Sequence, residues 1–447
     1  MRTHFLAVLE ALRFRDGSAD DLHKIPENVW PAVLKATDSA HLTPALGVRC
    51  RDSLPESVRR RIENNLATNA VRYERLVAAH IEIDTALASR DIEYVVLKGL
   101  AQWPYYIDDP RLRPQYDIDI YVPDESRSAA AKAMRELGYT PVNNTPDPGA
   151  DHLPVMIRRT GWTWRGDYFD PDMPASLELH FRFWNRETMR FDVGDLTPFW
   201  QRRLVRNVAG LELPMLDPVD GLSYSALHLL RHLLGGDLRL RHVYEIAHFL
   251  ERSADDDAFW SRWRESALPL CRIAEGIAFR LAADWFHCNQ HPHAQGAIEQ
   301  LPEPVQRWFK LFSSSPELAF SKPDLASGKP DLAFGEHDLA FGKSDKSELW
   351  LHFCLLNRAK DRCAIASRRL FPMRRARVVV DAHVPEMTAA LRMKRIAGEA
   401  SFLAARALHH LRTLAPAIRG AYRWWSWTES FPIQTDEKPV KNVAPVL

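Results

Sequence analysis

The chain has 447 residues, which is too long for one ordinary hydrophobic core and predicts two or three domains. Its 59 basic and 58 acidic residues give a formal net charge of +1, so no bulk charge favours nucleic acid or a membrane surface. The five scattered cysteines lack CxxC spacing and favour reduced thiols in the cytoplasm. We find no signal-peptide pattern and no apolar stretch long enough to predict a membrane span.

The first region, residues 1–90, is predicted to be helical. A long amphipathic pattern begins at Pro55 and places Ile62, Leu66 and Leu76 close to one helix face. It ends before a change in pattern near residue 91.

The second region, residues 91–215, has the mixed pattern of an α+β core. A β-branched and aromatic run predicts one strand, and two alternating segments predict two more. These strands are expected at residues 92–97, 116–122 and 175–184, with a short helical stretch over 100–106 and a helix over 129–137.

The rest of the chain is predicted to be mainly helical. Residues 216–312 form a helical domain, with helical runs expected over 222–234, 240–252 and 257–286. A seven-residue repeat at 316–343 contains recurring Pro and Gly, so residues 313–347 are predicted to be a disordered insertion. Residues 348–447 are predicted to be a helical region with a flexible tail.

The strongest chemical pattern is the carboxylate pair Asp117 and Asp119. Residues i and i+2 of a strand point to one face, so both carboxylates can hold the same divalent ions. A neighbouring strand is expected to supply a third carboxylate, Glu178. Three other acidic residues are close enough in sequence to be alternatives: Glu187, Asp192 and Asp195.

A second set of residues is predicted to bind phosphate or substrate. Lys98-Gly99 lies between a predicted strand and a helical turn, where backbone N–H groups can approach an anion. His180 is a candidate for substrate contact or proton transfer, and a structural hydrogen bond is the alternative. Candidate phosphate-binding arginines are Arg111, Arg113, Arg231, Arg239 and Arg241, with a solvated helix end as the alternative for the last three.

His228 and His232 are four residues apart on a predicted helix, which is a possible metal-binding spacing. No third ligand is evident in the sequence. We therefore expect them to be buried or interface histidines.

Three segments together resemble a known family. Residues 97–101, 111–122 and 177–182 resemble the motifs of an uncharacterised bacterial nucleotidyltransferase family within the DNA polymerase β-like superfamily. The resemblance covers roughly residues 90–250. It implies an α+β fold with a small mixed sheet flanked by helices, metal binding by Asp117, Asp119 and Glu178, and a triphosphate loop at Gly99.

The expected function is transfer of a nucleoside monophosphate from a nucleoside triphosphate to an unknown acceptor, which is a small molecule, a protein or RNA. Two Mg²⁺ ions are the expected cofactors, with Mn²⁺ as a possible substitute. Leu100 replaces a Gly or Ser that the superfamily often has, which motivates the alternative of a non-catalytic nucleotide-binding or scaffold protein. A third hypothesis is a toxin-like enzyme that modifies transfer RNA.

Overall fold

The computed structural model describes residues 2–142, 151–162, 165–236, 238–312, 346–370 and 417–426, and isolated helical positions between 393 and 415. The predicted repeat at 316–343 and the tail after residue 426 lie outside these residues. The strands are β1 (Val95–Val96), β2 (Asp117–Tyr121), β3 (Tyr139–Pro141), β4 (Met156–Arg158), β5 (Ser176–His180), β6 (Leu204–Val208) and β7 (Leu211–Met215).

Helices precede, interrupt and follow these strands. They are α1 (Arg2–Ala11), α2 (Trp30–Ser39), α3 (Thr43–Arg49), α4 (Glu56–Ala88), α5 (Arg127–Glu136), α6 (Arg186–Met189), α7 (Thr197–Gln201), α8 (Pro218–Gly235), α9 (Leu240–Arg252), α10 (Asp257–Ser266), α11 (Arg272–Phe286), α12 (Pro292–Glu299), α13 (Glu303–Phe312), α14 (Ser347–Cys354) and α15 (Ala359–Leu370). Two short 3₁₀ helices near the site span Gly99–Gln102 and Pro110–Leu112.

In the described part of the chain, seven strands form one mixed sheet in the order β3-β4-β5-β2-β1-β7-β6. Strand β2 runs parallel to β5, and β1 runs parallel to β7. The other neighbouring pairs are antiparallel. The predicted α+β class is confirmed, although the sheet is larger than the small sheet we expected.

The β6–β7 hairpin accounts for part of this difference. Ala209 and Gly210 join the two strands and have φ values of 56° and 80°. Two consecutive residues with positive φ are typical of a tight hairpin turn, but Asn-Gly or Asp-Gly is its usual sequence. Pro214 also weakens the strand pattern, since proline is confined to edge strands and bulges in most sheets. For these two reasons, the sequence pattern does not predict the hairpin.

The helical run predicted from Asp257 to Phe286 is interrupted. Helix α10 ends at Ser266, and α11 begins at Arg272. Pro269 lies in the break and has no backbone N–H for helical hydrogen bonding, which explains the interruption.

The two faces of the sheet have different environments. Ile118, Ile120, Leu177 and Leu179 are buried in one core together with apolar residues of α4 and α5. Asp117, Asp119 and Glu178 face the other way. On that side, Tyr224 of α8 and Arg241 of α9 are close enough to interact electrostatically with these carboxylates. Thus α4 and α5 support the strands from behind, and α8 and α9 cover the polar face. None of the described helices combines the length and apolarity that a membrane crossing requires.

Candidate active site

The carboxylates of β2 and β5 lie opposite each other in a parallel strand pair. Asp119 is the register partner of Glu178, and Asp117 is the partner of Ser176. Ligand atoms of Asp119, Glu178 and His180 all lie within 4.8 Å of one another. The register therefore brings Glu178 to Asp119 on the strand face that also carries Asp117.

The alternative third carboxylates lie elsewhere. Glu187, Asp192 and Asp195 are all exposed. Asp192 forms an ion pair with Arg186, and Asp195 accepts hydrogen bonds from Thr197. Of these candidates, only Glu178 is in the cluster with Asp119.

Two basic side chains, Lys98 and His180, lie close enough to offset the negative charge of the carboxylates. Lys98 Nζ lies 2.8 Å from Asp119 Oδ1. His180 Nε2 lies 3.1 Å from the same oxygen and 3.4 Å from Glu178 Oε2. The side chains of Asp119, His180 and Lys98 are only 1%, 2% and 14% exposed, so these contacts form away from bulk water. His180 is thus a partner of both carboxylates through one imidazole nitrogen.

The cluster shifts the pKa values of its own members. Burial alone would lower the pKa of His180, but hydrogen bonds to Asp119 and Glu178 raise it to about 9. Burial also opposes the charged form of Glu178, yet His180 and other nearby cations hold its pKa well below the ordinary value. Burial and the neighbouring Asp119 carboxylate raise the pKa of Asp117. Despite its burial, Lys98 has a raised pKa because three carboxylates surround it. In the metal-free site, the raised pKa values of Lys98 and His180 favour their cationic forms at neutral pH.

Gly99 lies after β1, at the start of the 3₁₀ helix Gly99–Gln102. Its φ is +68°, and a Cβ at this position would lie 2.2 Å from the side-chain amide nitrogen of Gln115. Gln115 in turn donates a 2.7 Å hydrogen bond to the Asp117 carbonyl. The positive φ favours glycine here, and a Cβ would also displace the amide end of the Gln115 side chain. The Gln115 side chain therefore packs next to Gly99 and is hydrogen-bonded to the start of β2.

Arg113 and Arg241 belong to a buried network centred on Glu245 of α9. Arg113 Nε donates to Glu245 Oε1 at 2.8 Å, and Gln102 Nε2 donates to Oε2 at 3.1 Å. Arg241 Nε lies 3.7 Å from Oε1, and its Nη1 donates to the Pro114 carbonyl. These contacts connect α9 to the 3₁₀ helix Gly99–Gln102 and to the segment before β2. Phosphate binding by these two arginines stays a prediction.

Arg111 and Arg239 have different environments. Arg111 is exposed and makes a bidentate ion pair with Asp109, outside the acidic cluster. Arg239 is half-buried at the start of α9 and has no ion-pair partner among the residues that the structure describes. Arg239 is therefore the better placed of the two to receive an anion, and the phosphate role of both stays a prediction.

The structure adds Asp151 and His152 to the surroundings of His180. His152 forms an isolated bridge with His180, and their ring centroids are 5.2 Å apart. Asp151 forms an ion pair with Arg231 of α8. The sequence contains no motif at Asp151 and His152, which precede β4 in an irregular segment. Arg231 therefore connects α8 to this edge of the site, and substrate contact by Arg231 stays a prediction.

These features define an α+β fold with a buried cluster of carboxylate and imidazole groups that could hold a metal ion. The family described as uncharacterised nucleotidyltransferase matches residues 26–287, and the chain belongs to this family. The match includes all of the predicted site residues and confirms the family resemblance. No curated protein and no solved structure matches the chain.

Proposed function

We propose that the protein is a magnesium-dependent enzyme that transfers a nucleoside monophosphate from a nucleoside triphosphate to an acceptor hydroxyl. The acceptor oxygen forms a bond to the α-phosphorus, the bond to pyrophosphate breaks, and the hydroxyl proton is released. The single observation that carries this proposal is the register of Asp119 with Glu178, next to Asp117 on the same strand face. Family membership supports the reaction class.

The donor chemistry of the site fits hard divalent ions. Asp117, Asp119 and Glu178 offer carboxylate oxygens, which Mg²⁺ prefers over nitrogen, and Mn²⁺ accepts similar ligands. When bound, two such ions would neutralise phosphate charge and lower the pKa of the acceptor hydroxyl. These three carboxylates are the residues that would hold them.

Other residues prepare the site for a triphosphate. Lys98 supplies a buried positive charge beside the carboxylates, and Gly99 lets the backbone turn there. His180 holds Asp119 and Glu178 through one imidazole nitrogen, so we assign it a positioning role. Arg239, the residue just before α9, supplies a cation that can bind phosphate oxygens.

The test is transfer of label from α-labelled triphosphates to components of a cell extract, with Asp117→Asn and Asp119→Asn as variants. Each variant should reduce transfer about a thousandfold, because loss of a metal-binding carboxylate removes several kcal/mol of transition-state stabilisation. Asp124→Asn is the matched control, since Asp124 is exposed just beyond β2. Equal labelling by wild type and both site variants would overturn the proposal.

A second candidate is nucleotide binding without transfer. The observation that favours it is the ion pair between Lys98 and Asp119, which already neutralises one carboxylate within the protein. Calorimetry separates the two functions. Magnesium-dependent triphosphate binding with no transfer to any extract fraction would support binding alone.

A further inference from the structure

Three histidines converge on the side of α8 and α9 that covers the site. His228 and His232 lie one turn apart on α8, and His242 lies in the first turn of α9. Their ring centroids are 4.5 Å apart for His228 and His232, and 4.9 Å apart for each of these with His242. One ring nitrogen from each histidine lies within 4.8 Å of the other two. Tertiary structure thus supplies the third imidazole that the sequence did not reveal.

The three imidazole rings differ in burial: His242 is buried, whereas His228 and His232 are partly exposed. His242 is only 8% exposed, and its Nδ1 has no hydrogen-bond partner among the described residues. An unsatisfied buried nitrogen is unfavourable unless another group bonds to it. His228 and His232 are half-buried. The cluster therefore combines a buried nitrogen that lacks a hydrogen bond among the described residues with two histidines that are partly exposed.

Imidazole nitrogen selects a different class of ion from the acidic cluster. Zn²⁺ and related transition-metal ions bind histidine, whereas Mg²⁺ prefers carboxylate, carbonyl and water oxygens. Zn–N bonds are about 2.0–2.1 Å long, which places the nitrogens of a tetrahedral site about 3.3 Å apart. The three nitrogens lie within 4.8 Å of one another, so each pair has to approach by at most about 1.5 Å to reach that spacing.

We propose that His228, His232 and His242 bind one divalent transition-metal ion of the zinc class. Three protein ligands leave a fourth position for water or another small ligand. The ion connects α8 to α9 across the turn that contains Gly236, which has a φ of +81°. It therefore also fixes the start of α9, which carries Arg239 and Arg241. The histidine cluster shares no ligand with the carboxylates of the proposed function.

The first test is a competition titration of the full-length protein with Zn²⁺ and a chromophoric chelator, in excess Mg²⁺. We expect wild type to bind one Zn²⁺ at this site, and His232→Ala to weaken binding by at least about a hundredfold. Loss of a supporting residue outside the ligand set already costs about 10–100-fold in metal affinity. The exposed His23 gives a matched control, because His23→Ala should leave the affinity unchanged.

A second measurement locates the ion and does not depend on a variant that might misfold. Co²⁺ in a four-coordinate, histidine-rich site absorbs visible light much more strongly than six-coordinate Co²⁺ bound to oxygen. Wild type and Asp119→Asn should both give the strong bands, and His232→Ala with an unchanged circular dichroism spectrum should lose them. Weak bands in wild type, bands abolished by Asp119→Asn, or equal zinc affinity in wild type and His232→Ala would overturn the proposal.

Discussion

Lys98 Nζ and His180 Nε2 contact the same oxygen of Asp119, at 2.8 Å and 3.1 Å. Any divalent ion that binds Asp119 must compete with these two cations of the protein itself. In the proposed function, metal binding and nucleotide binding are linked through Lys98, which would exchange the Asp119 carboxylate for a phosphate as its partner.

Lys98→Met should strengthen metal binding and weaken nucleotide binding. Removing the ammonium relieves its repulsion of a divalent ion, so Mn²⁺ affinity without nucleotide should rise about tenfold or more. Triphosphate affinity should fall about tenfold, because a charge-assisted hydrogen bond is lost. Mn²⁺ electron paramagnetic resonance and calorimetry measure the two effects. Lys132→Met, on the exposed face of α5, should change neither affinity, and a parallel fall in both would contradict the exchange.

Gly99→Ala should be much more harmful than Gly138→Ala. Both glycines have positive φ, but an added Cβ meets the Gln115 side chain only at Gly99. Gly138→Ala should cost about 1–2 kcal/mol of folding free energy from backbone strain alone. Gly99→Ala adds displacement of a buried side chain to this strain, for a further cost of about 1–3 kcal/mol. Urea unfolding compares the two, and similar losses would show that the contact with Gln115 is unimportant.

Glu245→Gln should destabilise the protein strongly. The carboxylate is paired with Arg113, which is 6% exposed in its side chain, so the neutral variant leaves a buried guanidinium without a counter-charge. Breaking one partner of a buried ion pair costs about 3–5 kcal/mol. Chemical unfolding of Glu245→Gln beside the exposed Glu265→Gln measures the difference. A loss within about 0.5 kcal/mol for both variants would argue against the network.

The stability of the metal-free protein should decrease as pH rises from about 6.5 to about 9. His180 has a raised pKa of about 9 in the folded protein, against an ordinary value of 6.5. Its stabilising contribution is complete below the unfolded-state pKa and is lost as pH passes through the folded-state pKa. The full contribution is about 3 kcal/mol.

Thermal unfolding at several pH values, with chelator present, measures this dependence. His180→Gln should flatten the profile between pH 6.5 and 9, because the titrating imidazole is gone. His23→Gln, at an exposed histidine, should keep the wild-type slope. An equally steep fall in His180→Gln would assign the dependence to other groups.

The sequence was sufficient for the fold class, the family and the main strands and helices near the site. Asp117 and Asp119 are two residues apart in an alternating apolar pattern, so local strand geometry places both on one face. Glu178 was also expected, since it has the same local context. These features depend on neighbouring residues, and side-chain periodicity therefore predicts them.

Only the tertiary structure decided which distant residues meet. The register of β2 with β5 sets Glu178 against Asp119, and the position of α9 buries Arg113 against Glu245. The approach of α9 to α8 adds His242 to a histidine pair that had no third member. Such contacts depend on how whole strands and helices pack. Burial of apolar side chains selects this packing, and a local polar motif does not specify which distant residue it will contact.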